Sequence, residues 1–375
     1  MSAALPRQTV PLSRGLAHRY HACVDEILNR LRGASLRPLY MPDLTLWYAW
    51  HSGRGTLPAA WRADSLAAVC RRMGVPAWCP ARPWRLETPG LEVQTVEQAG
   101  ERTVRWQAPS GTLQARWTLG PDGDWWQAEY PVKSAADLPS AAQIVAARVY
   151  RLEPERLDAA RRETGESGPV VAELPMRPYS ELLHVFLGWS EGFMLLFEAP
   201  ERIAGLLTTL ESKLQGLVRE LAGLPADVVL SPDNLDGQFI TPPAFAEHLL
   251  PSYRATARTL AGRLLAVHAG GMVRGLLPGL AEAGVDLIQG VCGPPQSDAG
   301  LAEARAVCGE KVALWGGIAQ DLLLAGTEEK EFDRACREAF TAAGSDPRIV
   351  VGVADKVPVD ALPERLEALS GMSTK

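Results

Sequence analysis

From about residue 165 the chain settles into a rhythm of short apolar runs separated by longer amphipathic ones. The apolar runs are PVVAEL (169–174), DVVLSP (227–232), RLLAVH (263–268), VDLIQG (285–290), KVALWGG (311–317) and RIVVGV (348–353). Stretches such as RIAGLLTTLESKLQGLVRELAG, AFAEHLLPSYRATARTLAG and EKEFDRACREAFTAAG lie between them, with helical spacing of their apolar positions. Short β-rich runs alternating with helices at this spacing build parallel βαβ units. Six such strands, with one or two more near residues 38–50 and 130, make roughly eight. The pattern predicts an α/β fold, a (β/α)8 TIM barrel, with a doubly wound open sheet as the second arrangement.

The first third reads differently. AHRYHACVDEILNRLRG (17–33) predicts an amphipathic helix ending on Gly33, with His18 and His21 solvated. PLYMPDLTLWYAW predicts a strand and HSGRGTLPAAWR the loop after it. Between 100 and 130, ERTVRWQ, GTLQARWTL and WWQAEYP alternate polar and apolar residues around the turns APSG and PDGD. That period of two, with turn residues between, predicts an antiparallel hairpin or small meander. The expected organisation is one barrel domain over 1–375, with an N-terminal helical extension over about 1–35 and a β-hairpin insertion over about 85–130.

Composition narrows the functional classes. A net charge of −6 over 375 residues gives no basic footprint for nucleic acid. The opening MSAALPRQTVPLSRG lacks a secretory pattern, and no apolar run is long enough to span a bilayer. Six cysteines (Cys23, Cys70, Cys79, Cys292, Cys308, Cys336) are scattered without a CxxC pair, which favours reduced thiols and a cytoplasmic setting. A homodimer is compatible with a barrel of this kind.

In such barrels chemistry sits in the loops after the strands, at their C-terminal ends. Those ends carry Asp233 and Asn234, then His268, then Gln289 and Cys292, then Trp315 and Gln320, and finally Asp355 and Lys356. His268 closes an apolar strand and opens a Gly-Gly loop. GWSEG (188–192) satisfies the G-x-S-x-G hydrolase pattern, but SELLHVFL before it has helical spacing, so we read it as a decoy. HAGGMVRG follows a strand but lacks the G-x-G-x-x-G of a dinucleotide site.

Several phrases, in order, resemble the uroporphyrinogen decarboxylase superfamily: EYPVKSAADLP, SPDNLDGQFITPPAFAEHLLPSY, LAVHAGG, ALWGGIAQDLLLAGTEEK and VGVADKVPVDALPERLEAL. HSGRGTLPAAWR is similar to that family's arginine-bearing early loop. The resemblance implies a single (β/α)8 barrel and one of two activities. One is decarboxylation of a tetrapyrrole, and the other is methyl transfer serving corrinoid proteins, which uses zinc. Methyltransferase members carry His-x-Cys-Gly at a strand end and a cysteine in the last strand's loop. Here His268 stands, but Gly270 occupies the cysteine position and GVADKVP offers Asp355 in the last loop. A rebuilt zinc site would draw on His268, Cys292 and Asp355. The decarboxylase pattern fails in part: RRMGVPAWCP lacks its early aspartate and the last loop lacks its histidine, while Arg54 and Asp233 match its arginine and strand-end aspartate and Tyr179 stands for its tyrosine.

The resemblance therefore implies an enzyme of the methyltransferase-like branch, moving a one-carbon group to or from a corrinoid or thiol acceptor. His268, Asp233 and Asp355 are its expected catalytic residues. Arg54, Lys133, Tyr179, Gln289 and Trp315 are its expected substrate contacts. The alternatives are a decarboxylase of a tetrapyrrole or other carboxylated substrate, with Arg54 and Lys133 on carboxylates and Asp233 stabilising the protonated intermediate, and a catalytically silent barrel that binds tetrapyrrole or a partner. A corrinoid protein is an expected partner of the first reading.

Overall fold

The computed structural model describes residues 24–33, 39–121, 123–344 and 346–373. His18, His21 and Cys23, and with them the start of the expected first helix, lie outside the described residues. Within those residues the strands in chain order are β1 (Leu39–Tyr40), β2 (Cys79–Ala81), β3 (Trp84–Glu87), β4 (Glu92–Gln98), β5 (Glu101–Ala108), β6 (Gly111–Leu119), β7 (Trp125–Glu129) and β8 (Val149–Leu152). They continue as β9 (Val170–Glu173), β10 (Val228–Leu235), β11 (Leu264–Ala269), β12 (Leu287–Val291), β13 (Ala313–Ile318) and β14 (Ile349–Val353).

Eight of these strands form one parallel sheet in the order β1-β14-β13-β12-β11-β10-β9-β2, which curls into the (β/α)8 barrel. Its interior follows from strand parity. Val228 and Leu230, Leu264 and Ala266, Leu287, Ala313 and Trp315, and Val350 pack into one buried cluster. Their neighbours Val229, Leu265, Val267, Ile288, Leu314 and Val351 belong to a second cluster, shared with the surrounding helices. A strand buried on both faces has no polar side, which is why these segments read as continuous apolar runs. Trp78 and Trp315 meet edge to face in the barrel interior, with ring centroids 4.8 Å apart. Helix α1 (Val24–Leu31) contributes Ile27, Leu28 and Leu31 to the same cluster. Gly33, just beyond α1, abuts Arg348 at the start of β14, so α1 plugs the N-terminal end of the barrel. The C-terminal end is left for loops.

The meander is a separate four-stranded antiparallel sheet, β4-β5-β6-β7, and it begins earlier than the alternation around residue 100 suggests. Its strand β4 is exposed along its whole length, so burial leaves no two-residue signature there. One face, through Trp106, Ala108 and Leu113, packs on the helix Leu138–Ala147. At the other end its β6–β7 turn reaches back to the barrel. Gly123 lies against the Trp50 ring, where a Cβ would approach within 2.4 Å, and its φ of +81° lies in the left-handed region that favours glycine.

Two expectations need correction. PLYMPDLTLWYAW is strand only over Leu39–Tyr40; from Thr45 to Arg54 it is helix α2. Trp47 at the centre of that helix is buried, and its indole nitrogen donates to the Ala361 carbonyl at 3.1 Å, so tertiary packing outweighs the β preference of the aromatics. The eighth barrel strand is β2, not a segment near residue 130. β2 has only three residues, too few to show a pattern against the cysteine and prolines around it. No described helix is long and apolar enough to cross a membrane.

Candidate active site

Strand parity turns two of the strand-end residues toward the barrel axis. On β11, Leu264 and Ala266 point inward, and His268 continues that series; on β12, Leu287 is followed by Gln289 in the same way. His268 and Gln289 are register partners across the two strands. His268 is mostly buried, and its Nε2 lies 3.5 Å from Oδ1 of Asp355, which follows β14. The predicted histidine and the predicted last-loop carboxylate are therefore brought together at the C-terminal mouth.

Asp355 takes a φ of +86°, unusual for a residue with a side chain. Strain of that kind persists only where the surroundings hold it. Here the Lys356 amide donates to Asp355 Oδ1 at 2.7 Å. Gln296 Nε2 donates to the Ala354 carbonyl at 2.7 Å, and Gln320 Nε2 to the Lys356 carbonyl at 2.7 Å. Gln296 and Gln320 are joined through the Gln320 amide at 2.9 Å. On the far side Lys356 bridges to Asp43, whose carbonyl accepts from the Val357 amide at 2.8 Å. Three successive strand-end loops thus fix the carboxylate that faces His268. Above them, Asp124 of the β6–β7 turn stands 4.0 Å from the Lys356 ammonium, so the inserted sheet overhangs this rim.

Asp233 is differently placed. It lies two residues after Ser231, on the outward parity of β10, and is fully buried together with Arg177. Its Oδ1 accepts the Arg177 amide at 2.5 Å, while Oδ2 accepts the Ser231 hydroxyl at 2.7 Å and the Tyr253 phenol. The Arg177 guanidinium in turn donates to Ser231 Oγ at 3.1 Å and to Thr256 Oγ1 at 2.5 Å. Burial and the adjacent Asp233 charge push the Tyr253 phenol well above its ordinary range. This network is fully buried between barrel and helix, with Arg177 Nη2 left in it without a hydrogen-bond partner among the described residues.

The remaining expected contacts are dispersed. Arg54 is the last residue of α2, not a loop residue, and its guanidinium lies 3.2 Å above the Trp50 ring. Lys133 is exposed and ion-paired with Glu129 on the inserted sheet, which holds that carboxyl below its usual range. Tyr179 is buried and stacks on His248 at 4.6 Å, with burial raising its phenol. Trp315 is wholly buried on the barrel axis, where only the absence of a side chain at Gly352 leaves room for its indole nitrogen. It fills core and offers no surface to a substrate. Ser190 follows the π-helical segment Leu182–Leu187 instead of a strand, so GWSEG is no nucleophile elbow.

The residues present do not fit a thiolate zinc site. A Cβ on Gly270 would lie 1.6 Å from Asn234 Oδ1, so the Asn234 carboxamide occupies the space a cysteine side chain would need. Cys292 donates its thiol to the Gly293 carbonyl at 3.4 Å, and burial pushes it up to about 12, away from the thiolate that binds zinc. Among the described residues no three histidine, cysteine or carboxylate side chains converge on a metal-holding geometry.

Sequence reasoning missed Gln296 and the role of Asn234. Gln296 sits in the loop after β12 and was detectable only as another polar residue past a strand end. Asn234 has a φ of +47°, a conformation asparagine tolerates and one that its position after Asp233 does not announce.

The comparisons with known proteins agree with this architecture. The family model for uroporphyrinogen decarboxylase matches residues 187–373, about half of the chain. Among solved structures, a methyltransferase from Methanosarcina mazei superposes with a TM-score of 0.60 over 94% of this chain and 98% of its own, at 15% identity. No curated protein matches in sequence. The chain is a divergent member of the uroporphyrinogen decarboxylase superfamily.

Proposed function

We propose that this barrel is a methyltransferase-like enzyme that moves a one-carbon group between a corrinoid and a thiol acceptor, with His268 as the proton carrier and Asp355 as its orienting partner. The observation that carries this reading is the 3.5 Å approach of His268 Nε2 to Asp355 Oδ1 at the C-terminal mouth. A thiol must lose its proton to attack a methyl group, and relatives with zinc achieve this by binding the thiolate. A positioned imidazole performs the same task as a general base, taking the thiol proton as the S–C bond forms and the Co–C bond breaks. The electron pair of the broken bond stays on the corrinoid, and the proton passes from His268 to solvent. The carboxylate at Asp355 fixes the ring and stabilises the imidazolium that results. Decarboxylation is less well supported, because Asp233 is sealed in a buried network and Arg54 and Lys133 are engaged elsewhere.

The test is methyl transfer from methylcobalamin to a panel of small thiols, followed by the absorbance change of the corrinoid. Turnover that survives chelator treatment and falls about 100-fold or more in His268→Ala supports the reading. Turnover that is abolished by the chelator and restored by zinc removes the histidine from the base role.

A further inference from the structure

The N-terminal end of the barrel, opposite the mouth, carries a second concavity. A cavity of about 280 Å³ opens where β11, β12, β13 and β14 begin, lined among the described residues by Arg32, Arg263, Lys311, Arg348 and a single carboxylate, Asp286. Four cations around one carboxylate leave a surplus of three positive charges.

The cations are partly anchored. Arg348 donates to the Lys311 carbonyl at 3.0 Å, and Arg263 to the Leu221 carbonyl at 3.3 Å. Gly33 lets the Arg348 guanidinium come close, since a Cβ there would sit 2.3 Å from its Nε. Asp286 spends one oxygen on the Leu265 amide at 2.8 Å, and both Arg32 and Arg348 are near enough to act on its charge. The carbonyl end of α1 faces this region and favours cations, which accounts for Arg32 and Arg348. It does not account for Arg263 and Lys311, which stand just before β11 and β13.

We propose that this cavity is an anion site for a phosphate-bearing small molecule carrying at least two negative charges. Guanidinium groups pair with phosphate oxygens through two parallel N–H donors, and a surplus of three charges is not satisfied by a monoanion. Such a ligand would tie the α1 plug to the bases of four barrel strands, far from His268. The site is independent of the reaction assigned to the mouth.

The probe is pyrophosphate, titrated calorimetrically into the full chain at constant ionic strength set with chloride. The expected result is saturable one-to-one binding, weakened about tenfold by Lys311→Gln and again by Arg263→Gln, the scale of one charge-assisted hydrogen bond each. Asp286→Asn, which keeps an acceptor for the Leu265 amide while deleting the opposing charge, should tighten binding several-fold. Each variant's melting temperature is measured alongside, so that a folding defect is recognised and the remaining variants decide. Absence of saturable heat from the wild-type chain overturns the proposal. So does binding that all three variants leave unchanged.

Discussion

Two aspartates at strand ends looked equivalent in the sequence, and the folded chain uses them in opposite ways. Asp233 leaves β10 on the outward parity and is sealed between barrel and helix, with both oxygens occupied by Arg177, Ser231 and Tyr253. Asp355 leaves β14 at the rim, partly exposed, with Oδ1 3.5 Å from His268. A carboxylate whose acceptor sites are filled by buried donors holds structure together. One left with free capacity beside an imidazole at an open mouth is equipped to handle protons. Both aspartates fall on the outward series of their strands, Val229 to Asp233 and Val351, Val353 to Asp355, so parity alone does not separate them; the left-handed backbone at Asp355 breaks the alternation and turns its carboxylate to the mouth.

The largest effect should come from breaking the buried network. Asp233→Ala strands the Arg177 guanidinium in a fully buried site, and the loss of a buried partner costs about 3–5 kcal/mol. Denaturant unfolding checks this, with Asp355→Asn as the counterpart at the rim. Asparagine accepts the left-handed conformation of Asp355, so that variant should stay within about 1 kcal/mol of the parent. Equal costs for the two variants would erase the distinction between the aspartates.

A smaller effect is expected between the two regions, where Asn234 meets Gly270. Gly270→Cys places a Cβ against the Asn234 carboxamide, and because both residues are exposed and the carboxamide can turn aside it should destabilise by no more than about 1 kcal/mol. Asn234→Gly removes the obstacle and suits the positive φ at 234, so the double variant should regain most of the loss. If the single variant is as stable as the parent, the carboxamide does not fill the cysteine's space.

The smallest effect concerns His184, packed behind Asn234 on the π-helical segment. Burial lowers its proton affinity below the ordinary histidine range, against the pull of Asp233, the Asn234 carbonyl and Asp236. Between its ordinary value and the lowered one, the unfolded chain binds more protons than the folded chain. Its contribution is therefore present above the ordinary histidine range and fades as pH falls through that window. The decline of melting temperature from neutral to mildly acid pH should be shallower in His184→Gln, and an unchanged slope would show that His184 does not titrate on unfolding.

Much of the barrel was legible because parallel strands are buried on both faces. Six of the eight announced themselves as β-branched runs, and β11 through β14 fell where their apolar segments lie. β1 and β2 have two and three residues, too short for any period to register. The early helix α2 was hidden by its aromatic content, since Trp47, Tyr48 and Trp50 favour strands until a core is there to take them. Of the candidate site, His268 and Asp355 were both legible as polar residues ending apolar strands, and the fold brings them together. Asp233 satisfied the same criterion but lies fully buried, hydrogen-bonded away from the mouth. Only the three-dimensional partners Arg177 and Tyr253, 56 and 20 residues away in sequence, separate the two cases. Trp315 was misplaced for a related reason, since inward parity puts a side chain on the axis without saying whether it lies in the packed layers or at the mouth.

The central claim is that His268 and Asp355 act as one unit in proton transfer, and a double-mutant cycle on kcat tests it most directly. His268→Ala, Asp355→Asn and the double variant are compared for methyl transfer to the best thiol, with melting temperature as the control. The account predicts unchanged folding, a loss of about 100-fold or more for His268→Ala, a smaller loss for Asp355→Asn, and a double variant no worse than His268→Ala alone. Losses that multiply in the double variant, or wild-type kcat in His268→Ala, would contradict it.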